Sequence, residues 1–195
     1  MATLKFSWAG LYEELNGCTK CRLCEKRTNI VVSDGDPNAE IMFIGEGPGR
    51  EEDEQGVPFV GAAGRLFNDL LEEAGLERKN VYICNIVKCR PPQNRDPLPD
   101  EAEACLPYLR AQIALVRPKI IVCLGRIAAR YVYDKEIQIS RQRGQVKKAG
   151  IFYVIPTYHP AALLRRQEMT NDLVADLCKA KRLLDKINNN EEIII

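Results

Sequence analysis

Cys18-Thr19-Lys20-Cys21 has the spacing of a metal-ligand pair, and Cys89 and Cys105, far away in sequence, offer two more thiolates. Four thiolates in one place suit either Zn²⁺ or an iron–sulfur cluster. A zinc ribbon would show a second close pair, and the chain has none, so the spacing favours a [4Fe–4S] cluster. The competing reading leaves Cys18 and Cys21 incidental or redox-active. Cys24 extends the run to Cys18-x2-Cys21-x2-Cys24, which looks like the start of a ferredoxin motif, but residues 25–36 hold no further cysteine. Cys84, Cys123 and Cys178 fall in apolar runs and read as small core hydrophobes.

His159 is the sole histidine and sits in Pro156-Thr157-Tyr158-His159-Pro160. A lone histidine is commonly structural, but this one follows a strand-like run in a rigid turn, which favours function. Asn85 interrupts the apolar run 81–87. A buried amide needs partners, so Asn85 either reads a base edge or satisfies neighbouring backbone. Gly45-Glu46-Gly47-Pro48-Gly49 lets backbone approach a ligand closely. It lacks the spacing of a dinucleotide fingerprint and the Lys-Ser/Thr of a phosphate loop. The acidic run 51–54 reads as a solvated face. Phe59, between turn residues, is either core or a stacking platform.

These residues need a frame that gathers them. Four short apolar runs, 41–45, 81–87, 119–125 and 151–155, read as buried strands, with helical patterns near 62–75, 101–116, 126–133 and 170–188. An amphipathic helix is expected within residues 1–17. Alternating strands and helices imply an α/β fold built as a three-layer sandwich around a central four-stranded parallel sheet. Ligands then bind at the carboxyl ends of the strands, where the glycine turn, Asn85 and His159 fall. The four prolines within residues 90–99 imply an ordered or extended loop. One domain is expected, with 1–40 as an N-terminal extension contributing two cysteines and 188–195 as a frayed tail.

The 195 residues, 46% hydrophobic and 28% charged, exclude a disordered chain and a small disulfide scaffold. No apolar run approaches the roughly 20 residues of a membrane span. Residues 1–10 do not resemble a secretory signal, which favours a cytoplasmic protein. The net charge of +1 neither suggests nor excludes nucleic acid.

Together these segments resemble the family 4 uracil-DNA glycosylases, the thermostable iron–sulfur branch of that superfamily, over about residues 15–185. The likeness rests on Cys18-Thr-Lys-Cys21, the glycine turn, Pro58-Phe59-Val60-Gly61, Asn85-Ile-Val-Lys-Cys89-Arg-Pro-Pro-Gln-Asn94-Arg, Cys105 and the run from His159 to Arg165. It implies a [4Fe–4S] cluster on Cys18, Cys21, Cys89 and Cys105, with Cys24 left as a free thiol. It implies that Phe59 stacks on a flipped uracil and that Asn85 bonds the O4 and N3 side. The backbone of Glu46 and Gly47 would touch the pyrimidine. Glu52 would sit near C5 and exclude a methyl group. His159 would face O2, Leu163 would wedge into the vacated stack, and Asn94 would place the attacking water. Glu46, assigned mainly to the pocket, joins His159 and Asn94 as a catalytic candidate.

The implied activity is DNA repair by hydrolysis of the uracil N-glycosidic bond in single- or double-stranded DNA. The implied protein is monomeric and of thermophilic origin, with no membrane partner; nothing in the sequence supports a replication-clamp partner. Phosphate contacts would come from Lys88, Arg90 and Arg95, from Arg141, Arg143, Lys147 and Lys148, and from Arg165 and Arg166. The alternative is a non-catalytic or covalently trapping iron–sulfur protein that binds uracil-DNA. The trapping branch carries a reactive histidine in an inserted basic loop, and residues 138–148 contain none. An iron–sulfur electron carrier and a zinc-stabilised nucleic-acid module are further readings.

Overall fold

The structure, a computed structural model, describes residues 7–193. Phe6, within the expected first helix, and Ile194 and Ile195, within the expected frayed tail, lie outside them. The strands are β1 (Asp34–Gly35), β2 (Ile41–Gly45), β3 (Tyr82–Asn85), β4 (Ile120–Leu124), β5 (Lys147–Ala149) and β6 (Phe152–Thr157). The helices are α1 (Trp8–Leu15), α2 (Arg50–Gln55), α3 (Ala62–Glu73), α4 (Pro99–Val116), α5 (Gly125–Val132), α6 (Ile139–Gln142), α7 (Pro160–Leu163) and α8 (Thr170–Asn188).

The sheet order is β1-β3-β2-β4-β6-β5. Its inner four strands are parallel, as the runs of Ile and Val predict. Two short antiparallel strands, β1 and β5, close the edges. Neither is legible in sequence, because each is too short to show a period. Each inner strand is buried on both faces. Met42 and Ile44 point to a layer containing Leu11, Tyr108 and Leu109 from α1 and α4. Ile41 and Phe43 point to the opposite layer, with Phe67, Leu71, Leu173 and Leu177 from α3 and α8. Cys84 and Cys123 are fully buried core residues. No described helix is long and apolar enough to cross a membrane.

Two segments differ from the sequence expectation. The acidic run is not a solvated face. It forms α2, where Asp53 is 3% exposed and accepts the Thr28 N–H at 2.9 Å and the Asn29 N–H at 3.3 Å. That carboxylate ties the N-terminal segment to α2. The end of α8, expected to fray, is held: Asn188 donates to Glu40 at 3.0 Å, Glu191 N–H returns to Lys186 at 2.9 Å, and Ile193 packs against the α8 layer.

The proline-rich loop 90–99 is fixed by a buried carboxylate. Glu101 is fully buried, accepts two bonds from Arg95 at 2.8 and 2.6 Å, and accepts the Leu98 N–H at 2.8 Å, capping α4. The Arg95 contact holds its carboxyl below the usual range. Such stability is present above the unfolded carboxylate pKa and is lost as pH falls through the native one. Glu101→Ala is expected to cost about 1–3 kcal/mol at neutral pH, read from urea midpoints, and to flatten the acid limb of stability.

Candidate active site

The carboxyl ends of β2, β3 and β6 open into a cleft of about 680 Å³. Its walls come from the glycine turn, α2, the Phe59 loop, Asn85, the 90–95 loop and His159. Residues scattered over more than half the chain meet here because parallel strands deliver all their following loops to one edge.

The floor depends on a missing side chain. A Cβ on Gly45 would lie 2.7 Å from the Phe59 ring and also strike the Asn85 amide. Bare backbone at the end of β2 therefore lets ring and amide converge. Asn85 is 2% exposed. Its backbone carbonyl accepts from Lys88 Nζ at 2.6 Å, but its side-chain Oδ1 is buried with no hydrogen-bond partner among the described residues. An unpaired buried acceptor costs about 1–3 kcal/mol. It lies on the wall of a cleft large enough for a ligand whose donor could satisfy it.

Phe59 lies over this floor in a left-handed conformation with φ 55°, unusual for a bulky residue. Strain of this kind costs about 1–3 kcal/mol and persists only where surroundings enforce it. Arg78 supplies the enforcement from one side. It donates to the Phe59 and Pro58 carbonyls at 3.0 and 2.6 Å, and is anchored by Asp34 at 2.7 Å. Glu52 supplies it from the other, accepting the Val60 and Gly61 N–H groups at 3.0 and 2.8 Å. Glu52 thus borders the cleft as expected, but one carboxylate oxygen is committed to the loop. The Phe59 ring stacks against the His159 ring, with centroids 5.6 Å apart and planes at 27°.

His159 is half-buried and caps α7: its Nδ1 accepts the Ala161 N–H at 3.1 Å. With Nδ1 as acceptor, the neutral ring carries its proton on Nε2. Burial pushes its pKa down to about 4, against the opposing pull of Glu52, so the ring is neutral at pH 7. Gly125, at φ +89°, permits this approach, since a Cβ there would lie 2.8 Å from His159 Cβ.

Glu46 and Gly47 border the cleft, as the sequence led us to expect. Burial and the neighbouring Asp96 carboxyl push the Glu46 pKa up to about 7. Asn94 stands exposed at the mouth, with its amide oxygen accepting from Arg90 Nε at 2.7 Å. Leu163 departs from the expectation. A wedge must reach solvent, yet Leu163 is 1% exposed and packs into the α3–α8 layer, while Leu164 is 50% exposed. A four-residue helix turns the first leucine inward and the second outward. Lys88 is likewise no phosphate contact, being 1% exposed beneath Asn85. Arg143 is engaged by Asp176 at 2.9 Å and by Asp172 at 3.3 Å, which ties its loop to α8.

A second cavity is bordered by Cys18, Cys21, Cys89 and Cys105, the four thiols the spacing selected, and by Cys24. Arg27 donates to Cys89 Sγ at 3.3 Å and to the Cys18 carbonyl at 2.6 Å, and Tyr108 OH donates to Cys18 Sγ at 3.3 Å. Burial raises the Cys21 and Cys105 thiols and pushes Cys89 up to about 11, with Arg27 pulling the other way. Among the described residues, no three Cys, His, Asp or Glu side chains converge as donors to a single ion. The thiols border a void instead. Arg78, Arg27, Asp53 and Asp96 escaped the sequence reading, because single charged residues carry no spacing signal.

Residues 32–189 match the family model described as the uracil DNA glycosylase superfamily, and the chain belongs to that superfamily. Its relatives set it in the type-4 branch. A type-4 uracil-DNA glycosylase of Thermotoga maritima is 47% identical over 89% of this chain and 93% of its own. One from Sulfurisphaera tokodaii is 48% identical over 88% of this chain and 82% of its own. One from Archaeoglobus fulgidus is 45% identical over 90% and 92%.

The hydrogen-bonding of His159 yields a direct expectation. A ¹⁵N imidazole spectrum should show a neutral ring protonated at Nε2 at pH 7, titrating near pH 4. A midpoint at or above 6 would contradict the assigned environment.

Proposed function

We propose that this protein excises uracil from DNA, taking an everted deoxyuridine into the cleft and hydrolysing its C1′–N1 bond. The unpartnered Asn85 Oδ1 carries the reading. Uracil presents N3–H, a donor for that atom, next to O4, an acceptor for the same amide's NH₂. The Phe59 ring offers a stacking face, and the Nε2–H of His159 offers a neutral donor for O2. Cytosine presents an acceptor at N3 and a donor at N4, so it mismatches this amide. With Glu52 pinned by the loop amides, that side of the pocket is rigid, which suits exclusion of a C5 methyl.

Bond cleavage moves negative charge onto the departing base. A donor held at O2 before reaction stabilises it by about 3 kcal/mol, and the fixed tautomer of His159 avoids reorganisation. Extruding the base costs a few kcal/mol, which an apolar side chain filling the gap offsets. Leu164, exposed beside Arg165 and Arg166, fits that role in place of Leu163. The exposed Arg165, Arg166 and Arg141 suit phosphate contacts.

The donor set around the second cavity fits a [4Fe–4S] cluster. Cys18, Cys21, Cys89 and Cys105 would hold it, and Arg27 and Tyr108 would donate to its sulfur ligands. Bound there, it would cross-link the N-terminal segment, through Cys18 and Cys21, to Cys89, which directly precedes the loop that walls the cleft. Hydrolysis requires no electron transfer.

A uracil-containing oligonucleotide, treated with purified protein and then alkali, should be cut at the uracil. Asn85→Ala and His159→Ala should each slow release by about 10²–10³-fold. Leu164→Ala should slow duplex substrate and spare single strands, with Leu163→Ala lowering stability instead. Cys89→Ala should lose iron and melt earlier, while Cys24→Ala should retain iron. Absence of uracil release by the parent at every temperature below unfolding would overturn the proposal.

A further inference from the structure

Lys88 is a cation set in the core. It is 1% exposed, and its ammonium donates to a neutral group, the Asn85 carbonyl, at 2.6 Å. Among the described residues no carboxylate pairs with it. A lysine is almost never fully buried unless paired, because desolvating the cation costs more than one carbonyl returns. Fixing a turn does not require that cost, since an apolar side chain would pack in the same space.

A counter-charge is available in the adjoining cavity. Lys88 borders it together with Cys18, Cys21, Cys89 and Cys105. Thiols that bind a metal group do so as thiolates, so a loaded cavity carries negative charge beside this lysine. Burial raises the Cys84 and Cys105 thiols, and the Lys88 charge pulls both back.

The same residue belongs to the turn that builds the cleft wall. Asn85 ends β3, and Lys88 follows three residues later. Between them, the Ile86 N–H donates to the Gly45 carbonyl at 2.9 Å and the Val87 N–H to the Glu46 carbonyl at 3.1 Å. On its other side, the Lys88 carbonyl accepts the Val31 N–H at 2.8 Å. The backbone of Lys88 is thus held to the N-terminal segment, and its ammonium closes the turn onto the Asn85 peptide. We propose that Lys88 is a positioning residue that couples the cysteine cavity to the base-reading amide, its ammonium serving as internal counter-charge to the thiolates while it holds the Asn85 peptide in place. This rests on the readings of the cleft as a uracil site and of the cavity as a cluster site.

Lys88→Met removes the charge and keeps the length, whereas Lys88→Arg keeps the charge. At saturating uracil oligonucleotide, Lys88→Met should slow release by about 10–100-fold. In an Asn85→Ala background the same change should cost only about 2-fold, because the side chain that Lys88 positions is gone. A merely structural lysine would cost the same in both backgrounds. In the iron-loaded protein, Lys88→Met should shift the reduction potential to more negative values and speed iron loss to a chelator, and Lys88→Arg should reverse part of both. Thermal melts accompany each variant, and Lys88→Gln repeats the measurements if Lys88→Met does not fold. Equal penalties in the two backgrounds, with an active parent, overturn the proposal and leave the uracil reading standing. An unmoved potential and iron-loss rate overturn it as well. A parent that releases no uracil, or that binds no iron, overturns the corresponding reading and the proposal with it.

Discussion

A buried amide oxygen left without a partner is a standing cost in the folded state, and this fold keeps one at Asn85. The rest of the cleft is arranged around that atom. Gly45 removes the side chain that would have covered it. Lys88 fixes the peptide beneath it, and Phe59 closes over it. A core residue in the same strand would have been apolar, as its neighbours Ile83, Cys84 and Ile86 are. The unsatisfied acceptor is stability given up at a place where only a donor brought from outside restores it. Specificity follows from the same fact, since a ligand without a donor there leaves the penalty in place.

Preorganisation comes from hydrogen bonds that hold the loops around the cleft. Arg78 and Glu52 hold the Phe59 loop from two sides against its left-handed strain. The Ala161 N–H fixes the histidine tautomer. Glu101 locks the proline loop, and Asp53 fastens the N-terminal segment to α2. Cys89 borders the cysteine cavity and directly precedes that loop, whose Arg90, Pro91, Asn94 and Arg95 border the cleft.

Much of this was legible in the sequence, and the limits have physical causes. The four parallel strands were visible because strands buried on both faces read as unbroken runs of Ile and Val. Asn85 stood out as a polar residue in an apolar run, and His159 as the sole histidine, in a rigid turn after a strand-like run. The four spaced cysteines indeed meet at one cavity. The short edge strands and α2 were not visible, because two to six residues carry too little periodicity. The leucine pair at 163–164 was misread for a related reason: which of two adjacent identical side chains turns inward depends on one helical turn. The clamps at Arg78 and Asp96 were invisible because their partners are distant in sequence and follow no motif.

The central claim concerns one hydrogen bond. A crystal structure of the protein with uracil and an abasic strand would test it most directly. The account predicts that N3–H of the base meets Asn85 Oδ1 within about 3 Å, with the ring lying on Phe59 and O2 toward His159 Nε2. Uracil bound elsewhere, or an Asn85 Oδ1 still without a partner in the complex, would contradict it.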